Sequence, residues 1–314
     1  MPVKEPIKLH FITGFLGAGK TTLLNNLLAG LKNRKIGVIV NDFGEINVDA
    51  ALIDGDKDLK ISAINNGSIF CSCLSGSFVK SIVAYQDLPL DYLLVESSGM
   101  ARPSSIEGIL TQIEKLTGDT FAYRGMFCVV DATNFLTLVQ SLNSLQEQVA
   151  YSNLILINKT DLVDENKLQV IEERIREINP EAGIIRTSFG EIDPVILEED
   201  YGLPVNSGYS LTGCDAGRPE TYFLKVEEPV KREKLLDFLK EIAPNTYRIK
   251  GFLPLEDGVV NVDSVGDRFK LKKLRKDVDV RETGLIIFSK IGSSLQPQIE
   301  AGWENLVQTP FCIS

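Results

Sequence analysis

The sequence predicts a mostly parallel α/β sheet flanked by helices, followed by a smaller α+β C-terminal domain. Three observations carry this. Short apolar runs alternate with helically periodic segments as far as about residue 190, the pattern of an open sheet with helices on both faces. Glu198–Pro219 then loses periodicity and collects Gly202, Pro204, Gly208, Gly213, Gly217 and Pro219, which reads as a connection. Beyond it, strand-like runs are joined by turn pairs rather than by helices. The predicted division is 1–197, a linker at 198–220, and 221–314. A length of 314 residues suits two domains of about 150 each.

The first strand is Lys8–Ile12, followed by a glycine-rich turn and a helix over Lys20–Leu31. Further strands are expected at Ile36–Val40, Tyr92–Val95, Gly125–Val130, Leu154–Ile157 and Ile184–Arg186. They are short and continuously apolar, as central strands of a parallel sheet are. Leu168–Ile178 carries apolar residues at helical spacing. In the second part, Tyr222–Val226 reads as a strand and Lys231–Ile242 as a helix between Pro229 and Pro244. Antiparallel strands follow at Tyr247–Leu253, Val259–Val265 and Arg268–Leu274, turned by Asp257-Gly258 and Gly266-Asp267. A strand at Leu285–Ser289 and a helix at Pro297–Val307 close the chain.

Acidic residues outnumber basic ones 43 to 33, a net charge of −10. That balance opposes nucleic-acid binding as the main task, and Lys270–Lys276 reads as a solvated strand or loop face. No apolar run is long enough for a bilayer, and Met1–Pro6 shows no secretory pattern. Five cysteines, an odd number, do not suggest a disulfide framework. A cytoplasmic protein with reduced thiols is expected. Cys128 lies inside an apolar run and reads as core, Cys214 and Cys312 stand alone, and the one histidine, His10, reads as a core or edge residue of the first strand.

Gly14-Phe15-Leu16-Gly17-Ala18-Gly19-Lys20-Thr21-Thr22 matches the phosphate-loop pattern in full, between an apolar strand and a periodic helix. Glycines let backbone N–H groups turn inward around an anion, and the helix N-terminus directs partial positive charge at it. The first domain is therefore expected to be a P-loop NTPase, with Gly14, Gly17, Ala18 and Gly19 lining the phosphates. Lys20 would neutralise the β and γ phosphates, Thr21 would meet Mg²⁺, and Thr22 would lie near the α-phosphate.

Asn158-Lys159-Thr160-Asp161 follows a late strand. A carboxylate at Asp161 would accept from guanine N1 and its 2-amino group, donors that adenine lacks. Asn158 would brace the loop and contact the purine N7, and the Lys159 stem would cover the base. Ser188, after the next strand, either supports the base or is a plain turn residue. Asp42 and Glu45 follow the second strand, and Glu96 and Gly99 follow the Tyr92–Val95 strand, placing carboxylates at the sheet edge where ligands bind. Glu96 and Glu45 are the candidate Mg²⁺ groups, Asp42 the candidate for orienting the attacking water, and Gly99 a backbone N–H for the γ-phosphate. Each of these carboxylates is also a residue type that caps helices and turns.

Gly14–Thr22, Val40–Val48, Asn66-Gly67, Glu96–Pro103, Asp131-Ala132 and Asn158–Asp161 together resemble the CobW-type metal-trafficking GTPases. Tyr247–Phe252 and Leu285–Val307 resemble that family's C-terminal domain. The resemblance implies slow GTP hydrolysis to GDP and phosphate, coupled to delivering a metal or metallocofactor to a client protein, and a possible homodimer. It also implies a Cys-x-Cys-Cys motif after the Asn-Gly pair. Here the run is Ser68-Ile69-Phe70-Cys71-Ser72-Cys73-Leu74, which leaves a displaced Cys71/Cys73 pair, and the family's histidine-rich stretch is absent. Two thiolates hold Zn²⁺, Co²⁺ or Ni²⁺ only if Glu45, water or a second subunit completes the shell. Three other readings stand beside this one: a GTP-dependent reactivation or assembly factor for a corrinoid or other metalloenzyme, a nucleotide-binding adaptor with negligible turnover, and an ATP-dependent kinase, which the guanine selector opposes.

Overall fold

The computed structural model describes residues 5–31, 34–41, 60–64, 75–99, 101, 103–203, 220–265, 268–274 and 283–314. They divide into two compact units.

The first unit is built on seven parallel strands: β1 (Ile7–Gly14), β2 (Ile36–Asn41), β3 (Lys60–Ile64), β4 (Tyr92–Glu96), β5 (Phe121–Asp131), β6 (Leu154–Asn158) and β7 (Gly183–Arg186). Their order is β3-β2-β4-β1-β5-β6-β7. Every pairing is parallel, so the expected "mostly parallel" sheet is wholly so among the described residues. The chain leaves β1 toward one edge and, after β4, returns to build the other. Such a reversal opens a crevice at the carboxyl ends of the central strands. Register sets Ile12 beside Glu96, Gly14 beside Val129 and Asp131 beside Asn158. The carboxyl ends of four strands therefore meet along one edge.

The helices of this unit are α1 (Lys20–Gly30), α2 (Ser75–Val83), α3 (Ile106–Thr117), α4 (Phe135–Ser141), α5 (Asn143–Ala150) and α6 (Glu165–Ile178). Ile106, Ile109 and Ile113 recur at helical spacing and pack with Phe78 and Ile82 on Leu9 and Phe11 of the central strand. Asp164 caps α6 through its carboxylate and the Lys167 N–H, 2.8 Å apart. The sequence reading missed β3, an edge strand whose Lys-Ile-Ser-Ala-Ile lacks a continuous apolar run. It also began β5 at Gly125, four residues after its true start.

The expected linker begins differently from the reading. Glu198 bonds the Lys8 ammonium and the Tyr92 hydroxyl, and Arg34 approaches it at 3.3 Å. The Tyr201 N–H donates to the Arg124 carbonyl at 2.9 Å, and its ring packs edge-on against Phe127. Residues 198–203 thus belong to the first unit. A turn-rich composition hid this, because the anchoring contacts are long-range.

The second unit is an antiparallel sheet of β8 (Thr221–Lys225), β9 (Thr246–Leu255), β10 (Gly258–Val265), β11 (Arg268–Lys273), β12 (Gly284–Ser289) and β13 (Cys312–Ile313), in the order β11-β10-β9-β12-β8-β13. Helices α7 (Arg232–Ile242) and α8 (Gln296–Gly302) share a core with one sheet face. Trp303, fully buried, meets Phe238 edge-on with ring centres 4.9 Å apart. The predicted last helix reaches Val307, but as an α-helix only as far as Gly302. After Gly302 the chain widens to a π turn over Trp303–Val307, closed by Gln308 N–H to the Trp303 carbonyl at 3.0 Å. Lys270 and Lys272 on edge strand β11 are exposed, which discourages edge-to-edge pairing.

Candidate nucleotide site

The site grows from the turn between β1 and α1. Gly19 holds φ +110°, and no side chain caps α1 and no acid stands in its first turn. A Cβ on Gly19 would lie 2.3 Å from the Asn158 side-chain nitrogen. The helix N-terminus is thus left without an internal anion, the condition for receiving an external one. Lys20 is buried, and its ammonium folds back to donate to the Gly14 carbonyl at 2.9 Å and the Phe15 carbonyl at 3.4 Å. A buried cation held by carbonyls of the loop it serves is placed to meet phosphate oxygens.

Thr21 Oγ1 donates to the Glu96 carboxylate, 3.3 and 3.4 Å from its two oxygens. Glu96 ends β4, is buried, and pairs in register with Ile12. A hydroxyl and a carboxylate side by side beneath a phosphate loop are the hard oxygen donors that Mg²⁺ takes. Gly99 is buried and lies against the phosphate loop; a Cβ there would come within 2.5 Å of Leu16 Cδ2 and 2.8 Å of the Leu16 nitrogen. The structure therefore brings Lys20, Thr21, Glu96 and Gly99 together. Thr22 is exposed on the first turn of α1. Asp42, Glu45, Cys71, Cys73 and Cys214 lie outside the described residues.

The loop after β6 is tied to the phosphate loop by side chains. Asn158 Nδ2 donates to the Ala18 carbonyl at 2.9 Å, and its Oδ1 accepts from the Gly190 N–H at 3.0 Å. Lys159, in the left-handed region at φ 64°, donates to the Gly17 carbonyl at 2.8 Å and pairs with Asp131. Asp131 is in turn held by the Thr133 N–H at 2.8 Å and the Thr133 hydroxyl at 2.6 Å. Ser188 Oγ meets Thr160 Oγ1 at 2.9 Å and accepts from the Asp161 N–H at 3.2 Å. Asp161 itself is exposed. Ser188 thus acts on the loop that carries Asp161.

Sequence reasoning gave no site role to Asp131, Gln148 or Phe189. Asp131 stands at the carboxyl end of an apolar strand, a detectable signal. Gln148 and Phe189 had none, since a buried amide inside a helix and an aromatic in a turn look ordinary in one dimension.

Across the chain, the family model of the CobW/HypB/UreG nucleotide-binding domain matches residues 8–186. The chain belongs to the CobW/HypB/UreG family. A second model, the cobalamin synthesis protein cobW C-terminal domain, matches residues 220–307 of the same CobW-type chain. Among curated relatives, the zinc-regulated GTPase metalloprotein activator 1 of Dictyostelium discoideum is 34% identical over 221 residues, covering 59% of this chain and 46% of that protein. The zinc chaperone YjiA of Escherichia coli is 36% identical over 205 residues, 63% of each chain. The zinc chaperone CobW of Pseudomonas aeruginosa is 28% identical across 92% of this chain and 90% of its own. The matches to the first two thus span about half to under two thirds of those relatives' own length.

The remaining thiols and the histidine fall outside the site. Cys128 is fully buried in β5, and burial pushes its thiol up to about 12. Cys312 is exposed on the last strand. His10 is buried, with Nε2 3.0 Å from the Leu197 carbonyl, and burial lowers it to about 4.

Proposed function

We propose that this CobW-type chain binds a guanine nucleotide with Mg²⁺ and hydrolyses GTP slowly, using the nucleotide to govern delivery of Zn²⁺ or a related metal cargo to a client protein. The observation that carries the reading is the double tie of Asn158 to Ala18 and Lys159 to Gly17. A base-selecting loop bonded to a phosphate loop reads both ends of one nucleotide. The zinc cargo is supported by the names that the relatives carry.

In this reading Lys20 moves from its loop carbonyls to the β and γ phosphates, and the glycine turn supplies backbone donors. Thr21 and Glu96 would hold Mg²⁺, which offsets phosphate charge when bound. Asp161 selects guanine by accepting from N1 and the 2-amino group, with Ser188 holding its backbone. Asp42 orients the attacking water, Glu45 adds a metal contact, and Gly99 reports the γ-phosphate. Phosphoryl transfer needs position and charge more than a strong base, so a slow timer requires little else. Cys71 and Cys73 would receive the cargo with further donors. Nucleotide chemistry belongs to the first unit, which takes in residues 198–203 as well as 1–197, with the rest of 198–220 leading to the 221–314 domain. A cytoplasmic location and a homodimer fit the same reading, and no helix among the described residues is long and apolar enough to cross a membrane.

Calorimetry with Mg²⁺ and GTP, GDP or ATP tests this, with phosphate release measured beside a Lys20→Ala control. Binding of GTP and GDP over ATP, with turnover lost in the control, is the expected outcome. ATP preference, or no binding to folded protein, would end the reading. Metal analysis of untagged protein beside Cys71→Ser/Cys73→Ser tests the cargo site; stoichiometric metal retained by the variant removes those cysteines from it.

A further inference from the structure

Gln148 sits on α5 and reaches the segment that follows β4. Its side chain is fully buried. Nε2 donates to the Ala101 carbonyl at 2.9 Å and to the Gly99 carbonyl at 3.2 Å. A primary amide has two N–H bonds, and this one places both on backbone acceptors two residues apart. Gly99 is therefore held at two points: Leu16 of the phosphate loop leaves no room for a Cβ on it, and Gln148 holds its carbonyl.

The far end of this grip is fixed. Ser152 Oγ donates to the Gln148 carbonyl at 2.7 Å. The buried Asn179 amide donates to the carbonyls of Val149, Ala150 and Ser152 at 2.9, 3.1 and 2.9 Å. The carboxyl end of α5 is thus pinned to the end of α6, and Gln148 projects from a rigid mount. Its Oε1 is buried and meets no hydrogen-bond partner among the described residues. A half-satisfied buried amide is costly, and such cost is kept where a fixed orientation matters.

We propose that Gln148 is a positioning residue for the nucleotide reaction: it orients the Gly99 peptide from α5 so that this segment distinguishes a bound terminal phosphate from its absence. The inference rests on the nucleotide reading above and assigns a residue to it. Since the mount is rigid, any shift of Gly99 on γ-phosphate binding strains or breaks the Gln148 bonds. The state of the nucleotide is then felt at α5.

The test compares wild type with Gln148→Met, which keeps length and volume and removes both donors. Calorimetry with Mg²⁺ measures affinity for GDP and for a non-hydrolysable GTP analogue, and phosphate release gives kcat and KM. Expected is GDP affinity within about twofold of wild type, analogue affinity lower by about tenfold, and kcat lower by a similar factor. A purely structural amide would lower the melting temperature and leave the GTP-to-GDP affinity ratio unchanged; that result overturns the proposal. Should Gln148→Met not fold, Gln148→Asn, one methylene short, takes its place, and an unchanged ratio there overturns the proposal equally. A wild type that binds neither nucleotide overturns the functional reading, and this inference with it. A wild type that binds both, alongside an indistinguishable variant, overturns only this inference.

Discussion

Asn158 joins three loops at once: its Nδ2 holds the Ala18 carbonyl at 2.9 Å while its Oδ1 takes the Gly190 N–H at 3.0 Å. Both bonds are buried, and the side chain also fills the space that a Cβ on Gly19 would need. The loop after β6, the phosphate loop and the loop after β7 are therefore one hydrogen-bonded unit.

Replacing this side chain leaves two buried backbone groups without partners. Asn158→Ala should cost about 2–3 kcal/mol in stability. It should also weaken GTP and GDP to the same degree, since the loss precedes any contact with the terminal phosphate. Thermal melts and calorimetry check both; a selective loss of GTP would contradict this account.

His10 makes stability depend on pH. Burial is the main cause of its low value of about 4, reinforced by Arg124 and Lys8; the bond to Leu197 and the Glu198 charge act in the opposite direction. In the unfolded chain the ring titrates near its ordinary 6.5. The folded state therefore binds the proton less readily, and stability present above pH 6.5 falls as pH drops toward 4. The contribution of this ring is about 3 kcal/mol across that window. Denaturant melts of wild type and His10→Gln between those limits should show a shallower pH slope in the variant.

Phe189 is 66% exposed and holds φ 57°, a strained backbone for an aromatic residue. Its carbonyl accepts from Asn26 at 2.9 Å, and Gly190 next to it is fixed by Asn158. The surroundings thus impose the strain. Phe189→Gly should gain about 0.5–1 kcal/mol, because glycine occupies this region freely and little apolar burial is lost. A higher melting temperature is the expected reading.

Cys128 and Cys312 should react with alkylating reagent at very different rates. The buried thiol, raised to about 12, stays protonated at neutral pH, whereas Cys312 is exposed. Mass spectrometry of native protein after brief alkylation should find Cys312 modified and Cys128 intact, with Cys128 modified only after denaturation.

Much of the fold was legible in one dimension. The central parallel strands appear as apolar runs because both of their faces are buried, and Gly14–Thr22 and Asn158–Asp161 are legible as short motifs of fixed composition and spacing. The edge strand Lys60–Ile64 was not, since Lys-Ile-Ser-Ala-Ile holds no continuous apolar run. Nor was the anchoring of Glu198, whose partners Lys8, Arg34 and Tyr92 lie more than a hundred residues away.

The sequence alone determined that this protein has a phosphate loop entering a helix, an Asn-Lys-Thr-Asp turn after a late strand and a second antiparallel unit. Those features are local, written in glycine positions, hydrophobic period and short motifs. Only the tertiary structure decided that Asn158 and Lys159 bond the phosphate loop, that Asp131 holds Lys159, and that Gln148 grips Gly99. Each joins residues 28 or more positions apart, and such contacts follow from strand order and register, which no short stretch of sequence encodes.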